Sequence, residues 1–298
     1  MSHHVGRLHG RSIGARQVFP ARSRAYFAAS YPEGAHKMTH DLVRNPLLEL
    51  DALALLAEAL PSASVTLNRG DLPIDANGRP VCDSHEFGKT IREMERTNCW
   101  IALTNIEHDP SYRALLYELL DELADVVEPC TGEMLTPKGC IFISSPFSVS
   151  PIHLVPEHNF FLQLGGSKSI TIFPADDSRI AADMLQESVH ASGVRKLSWN
   201  ESFAEYGVAF PLAPGDAFYV PVMAPHFVRN GSEPSISLSI MWQSRWSREE
   251  ADARAFNALL RRRGYKPKAT RRWPRSNRLK ALGGRIARRL QGFDSPAS

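Results

Sequence analysis

Between residues 139 and 243 the chain is cut into short runs: "GCIFISSP", "HNFFLQL", "KSITIFP", "VAFPL", "DAFYVP", "HFVRNG" and "SISLSIMW". Each run is rich in β-branched or aromatic residues, and Gly, Pro, Asn and Ser punctuate them at close spacing. Many short strands of this kind imply a jelly-roll or cupin-like barrel. The expected fold is therefore mainly β with helical additions: a double-stranded β-helix with its core at about 139–243, flanked by N-terminal and C-terminal helices.

Helical signals occupy residues 43–126. "NPLLELDALALLAEAL" puts Leu47, Leu48, Leu50, Leu53, Leu55, Leu56 and Leu60 on one broad apolar face, with Asn45 as N-cap and Pro46 in the first turn. "EFGKTIREMER" reads as a shorter amphipathic helix. "DPSYRALLYELLDELADVV" reads as a third, entered at Asp109-Pro110 and lined by Leu115, Leu119, Leu123 and Val126. "WIALTNI" is a strand candidate, and "LNRGDLPIDANGRP" is a turn-rich loop. After the barrel, "SREEADARAFNALLRRRG" returns to helix, with Ser247 as cap and Glu250 three residues on. Residues 1–24 hold no acidic residue and no apolar periodicity, and they lack the apolar core of a secretory signal. They read as a disordered extension, a start codon placed too early, or an Arg-rich organellar leader. One cupin-like domain is expected over 25–260, followed by a basic tail over 261–298.

The net charge of +3 hides an asymmetry. Residues 261–290 carry thirteen Lys and Arg and no Asp or Glu, and the remaining 22 basic and 32 acidic residues leave the body at −10. In "RLKALGGRIARRLQGF", Leu279, Leu282, Ile286 and Leu290 recur at three or four, with arginines on the other faces. Such a helix can dock on the barrel, bind nucleic-acid phosphate or lie on an anionic membrane. No recognition helix or zinc finger supports sequence-specific reading. No run of about 18 apolar residues suggests a membrane span. The four cysteines form no C-x-x-C pair, which fits a reducing, cytoplasmic setting better than a disulfide scaffold.

The segment "HLVPEHNFFLQLGGSK" carries the chemistry. A strand points alternate residues the same way, so His153 and residue 155 share a face. Non-haem iron oxygenases use a His and a carboxylate at this spacing, and a distant His completes the set. His226, behind "APGDAFYVPVMAP", is that distant His. Residue 155, however, is Val, which binds no metal. Glu157 has the right parity to act as a surrogate but lies two residues further on. A two-His site with a water or halide in the vacant position is another alternative, crowded by the Val methyl groups. Lys168 could equally be a solvated turn residue, and Asn159 could merely hold backbone. Ser145 and the other barrel serines have no matching base and acid, so hydrolase chemistry is unsupported.

On these residues the chain resembles the Jumonji-C/cupin-like family, including the asparaginyl hydroxylase that acts on hypoxia-inducible factor. In that pattern an Asn follows the first His by six residues and a Lys by fifteen. Asn159 and Lys168 stand at those offsets, and "NFFLQLGGSKSITIFPADD" matches the family stretch closely. Ser150 sits where the group places Thr or Ser. Stretches such as "SYPEGAHKMTHDLVRNPLLELDAL" and "RRWPRSNRLKAL" are similar to bacterial cupin-like proteins labelled transcriptional regulators. The resemblance implies Fe(II) and 2-oxoglutarate as cofactors and His153 and His226 as metal ligands. It implies Lys168, Asn159 and Ser150 as the co-substrate pocket, and hydroxylation of a peptide, protein or small molecule as the reaction. It also implies a homodimer built on the C-terminal helices. Val155 departs from the Asp expected in the bacterial relatives. The resulting expectation is an oxygenase fold with an impaired metal site. The alternative is a non-catalytic binding or regulatory protein that contacts nucleic acid through residues 261–290.

Overall fold

The computed structural model describes residues 17–69, 84–94, 99–193 and 195–290. Eleven strands are found among them: β1 (His36–Thr39), β2 (Val65–Arg69), β3 (Cys99–Thr104), β4 (Leu135–Ser144), β5 (Val149–His153), β6 (His158–Gly165), β7 (Lys168–Ile172), β8 (Val208–Leu212), β9 (Asp216–Val220), β10 (His226–Asn230) and β11 (Ser235–Gln243). They form a seven-stranded sheet in the order β1-β9-β6-β11-β4-β3-β2 and a four-stranded sheet in the order β5-β10-β7-β8, all antiparallel. All seven expected runs lie on strands. The two sheets face each other across Phe161, Phe218 and Val220 from one side and Ile170, Ile172, Leu212 and Val228 from the other. This is the expected jelly roll, with β1–β3 added from the front of the chain.

The outer face of the large sheet holds Phe160, Leu162, Tyr219, Ile240 and Trp242, and the front helices cover it. These helices are α1 (Ala21–Ser30), α2 (Leu50–Ala59), α3 (Ser84–Arg92), α4 (Pro110–Asp121) and α5 (Ala124–Thr131). Asp109 caps α4, accepting from the Ser111 and Tyr112 N–H groups at 2.8 and 3.2 Å. Asn45 caps a 3-10 turn at Pro46–Leu48 rather than α2 itself. Leu50 and Leu55 point to solvent, so the buried stripe of α2 is narrower than its leucine count suggested. The fold also starts earlier than residue 25. Phe19 is fully buried against Phe160, and the Val18 and Phe19 N–H groups donate to the Glu122 carboxylate at 2.8 Å each. Most of the expected loop after Arg69 lies outside the described residues, as does Cys82.

At the far end stand α6 (Asp183–Ser192), α7 (Arg245–Arg262) and α8 (Arg278–Leu290). Ser244, not Ser247, caps α7, and Ser247 closes a reciprocal box from the third position. Glu250 instead forms a buried pair with Arg254 at 2.7 Å. The basic segment is docked: α8 packs on α7 through Ala281 and Gly284. A Cβ on Gly284 would lie 2.3 Å from the Asp252 carbonyl oxygen, so only glycine allows this approach. Arg285 and Arg288 both pair with Asp252. The leucine stripe does not make this contact, since Leu279 is 87% exposed and Leu282 and Ile286 are 49% exposed each.

Candidate functional site

β11 inverts the usual strand pattern. Its aliphatic residues Ile236, Leu238 and Ile240 face the helical layer, while Ser237 and Ser239 face the space between the sheets, opposite Gln163 and Phe161 of β6. The interior of the barrel is therefore partly polar. Lys168 on β7 reaches across to donate to Ser237 Oγ at 2.8 Å. Asn159 on β6 accepts from Ser239 Oγ at 2.6 Å. Both are buried. No carboxylate pairs with Lys168 among the described residues, and burial alone pulls its pKa down to about 7. This is not a solvated turn lysine. Ser237 and Ser239 were not singled out from sequence. The signal available was the strict Ser-x-Ser-x-Ser alternation of "SISLS", in which the polar set faces inward.

His153 ends β5, and His226 begins β10 directly opposite it; the ring centroids are 4.3 Å apart. Each Nδ1 lies against a backbone carbonyl two residues upstream, Pro151 at 2.8 Å and Ala224 at 2.9 Å. A carbonyl only accepts, so Nδ1 carries the proton in both rings and Nε2 keeps its lone pair. His226 is fully buried, and its Nε2 has no partner among the described residues. Burial first, and then His153, lower its pKa to about 3. His153 is also lowered, by burial and by the Arg195 and Lys196 charges.

A bulge in the β5–β10 pairing matches Ser150 to Val228 and His153 to His226, so three residues on one strand span two on the other. It brings Ser150 onto the face shared by His153 and His226. Ser150 is exposed there, at the rim rather than inside.

The strand ends at His153, so alternation does not carry through to Val155 and Glu157. Residues 154–157 instead turn into β6. The Leu154 N–H donates to the Arg195 carbonyl, and the Val155 carbonyl accepts from Met223 N–H. Val155 is buried. The Glu157 carboxylate lies 3.4 Å from Arg195, with its other oxygen buried and unpartnered among the described residues. His158 faces away from the barrel, bonded to Tyr219 and Ser244. Among the described residues no group of three or more His, Cys, Asp and Glu side chains could hold a metal ion. The residues present thus supply the two imidazoles of a His/carboxylate/His iron centre but not the carboxylate, and do not fit it.

No family model matches the chain. A curated relative, Jumonji C domain-containing protein 5 of Drosophila melanogaster, is 31% identical over 111 residues, covering 32% of this chain and 25% of that protein. The chain thus spans only a quarter of that relative. The structure superposes on YcfD of E. coli with a TM-score of 0.52 at 16% identity, covering 94% of this chain and 69% of YcfD. The chain has the Jumonji-C/cupin-like fold. A second YcfD structure, described as a ribosomal oxygenase in complex with cobalt and 2-oxoglutarate, scores 0.48 at 16% identity over 94% of this chain and 68% of that one. Within the Jumonji-C-like barrel, His153, His226, Lys168 and Asn159 all line the space between the two sheets.

Proposed function

We propose that this chain is a Jumonji-C-like 2-oxoglutarate oxygenase fold whose metal site is impaired. The observation that supports this most is the pairing of His153 with His226, which has no third donor among the described residues, with Val155 at the sequence position where the family resemblance expects Asp. Loss of a ligand is expected to cost more than the 10–100-fold typical of a change one shell further out. We assign Lys168 and Asn159, both buried between the sheets, to a small carboxylate, with Ser150 at the rim. The basic Lys168 interior suits an anion such as 2-oxoglutarate. YcfD, as a ribosomal oxygenase, makes a protein or peptide the first substrate class to consider. Isothermal titration of metal-free protein with Mn(II) tests the reading. Weak wild-type binding, strengthened at least tenfold by Val155→Asp, supports it; tight wild-type binding contradicts it.

The outward Leu279, Leu282 and Ile286 stripe on α8 bears on association and not on catalysis. An exposed apolar stripe marks a contact surface more directly than a nucleic-acid site, which needs only charge. The family resemblance implies a homodimer built on the C-terminal helices, so we assign the stripe to a second copy of the chain.

A further inference from the structure

α7 and α8, with Leu135 at the start of β4, border a groove of about 610 Å³. Four guanidiniums line it, those of Arg245 and Arg248 on α7 and of Arg278 and Arg285 on α8. Two carboxylates line it as well, and both are taken. Glu249 accepts from the Ser276 hydroxyl at 2.8 Å and from the Asn277 N–H, and Asp252 holds Arg285 and Arg288. Arg248 donates to neutral oxygens, those of the Gln243 side chain at 2.8 Å and Thr136 at 3.5 Å. Arg245 and Arg278 are exposed and have no ion-pair partner among the described residues. The rest of the lining is apolar: Leu135, half-buried, and Leu279 and Leu282, which stand three apart on α8 and point outward.

Uncompensated cations call for an anionic partner, and exposed leucines for an apolar one. A nucleic-acid backbone satisfies the first and gains nothing from the second. An acidic amphipathic helix satisfies both. Its apolar side chains, three or four apart, seat among the leucines while its carboxylates meet the arginines. We propose that this groove docks an acidic amphipathic helix of a partner protein. The proposal is independent of the metal site. It competes with the second copy assigned to the α8 stripe, because both use Leu279 and Leu282. Ile286 belongs to the stripe but not to the groove lining, so Ile286→Glu separates the two.

The test is fluorescence anisotropy of the whole chain with a dye-labelled helical peptide whose leucines recur at three and four and whose other residues are Glu and Ala. The expected result is saturable binding that weakens as salt rises. Arg245→Glu with Arg278→Glu should weaken it at least about tenfold, and Leu279→Ser should weaken it too. Ile286→Glu should bind at least as tightly as wild type. Peptides with Lys for Glu, or Ser for Leu, should not bind. Far-ultraviolet circular dichroism confirms that the helices of each variant are intact. No binding by folded Ile286→Glu, or binding unchanged by the double arginine substitution, overturns the proposal. Equal or tighter binding of a single-stranded oligonucleotide or of phosphatidylserine vesicles also overturns it, by giving the groove to phosphate. A wild type that binds the peptide and sediments as a monomer supports this assignment and removes only the second copy.

Discussion

His153 and His226 lie opposite each other on adjacent antiparallel strands with their ring centroids 4.3 Å apart, and each spends its Nδ1 proton on a backbone carbonyl. Strand pairing fixes the distance and the carbonyls fix the tautomer. Neither depends on a metal. The pair can therefore stand without a third ligand.

The same burial makes the fold acid-labile. His158, His190 and His226 each have a pKa lowered to about 3, chiefly by burial, against an ordinary 6.5. Between those values the unfolded chain binds protons that the folded chain does not. Stability is therefore full above about pH 6.5 and is lost as pH falls toward 3, each histidine adding up to about 1.4 kcal/mol per pH unit. Urea titrations at stepped pH measure this. A flat profile across that window would contradict it.

Lys168 works in the same direction in a different window. Its folded pKa of about 7 lies below the ordinary 10.5, so the cost of burying it is complete below pH 7 and disappears as pH climbs toward 10.5. Lys168→Met should stabilise the fold by roughly a few kcal/mol at pH 6 and by much less at pH 10. Urea midpoints of both proteins at the two pH values check it.

Gly284 should tolerate no side chain. Its Cβ would meet the Asp252 carbonyl, which belongs to α7 backbone and cannot swing away. Gly284→Val should cost about 1–3 kcal/mol through displacement of α8, despite valine's better helix propensity. Thermal denaturation measures the loss, and limited proteolysis within 264–277 should accelerate.

The α8 stripe is the dimer surface under the reading above. Leu279→Glu with Leu282→Glu should convert a dimer to monomer in analytical ultracentrifugation with no loss of helical circular dichroism. A wild type that sediments as a monomer at every concentration would remove that assignment.

Much of this was legible in the sequence. The seven barrel strands, the helix entry at Asp109 and the inward facing of His153 rest on local patterns that tertiary packing reinforced, whereas the pocket reading of Asn159 and Lys168 rests on the family resemblance. What was hidden depends on partners far along the chain. Phe19 belongs to the core because Glu122 holds its backbone. Ser244 outranks Ser247 as a cap because the strand before it ends at Gln243. Residues 154–157 leave the strand because their backbone groups bond to Arg195 and Met223, so period-two reasoning failed just where Val155 and Glu157 were weighed. The glycines of α8, read as weakening the helix, are what let it approach α7.

If Val155 costs this barrel its metal, as proposed, the wild-type protein will not assemble an Fe(II) and 2-oxoglutarate centre. The most direct measurement is an anaerobic titration of metal-free protein with Fe(II) and then 2-oxoglutarate, following the visible charge-transfer band, with Val155→Asp run in parallel. The expected result is no band in the wild type and a band in the variant. A band of comparable strength in the wild type would show that two histidines suffice here, and would contradict the claim.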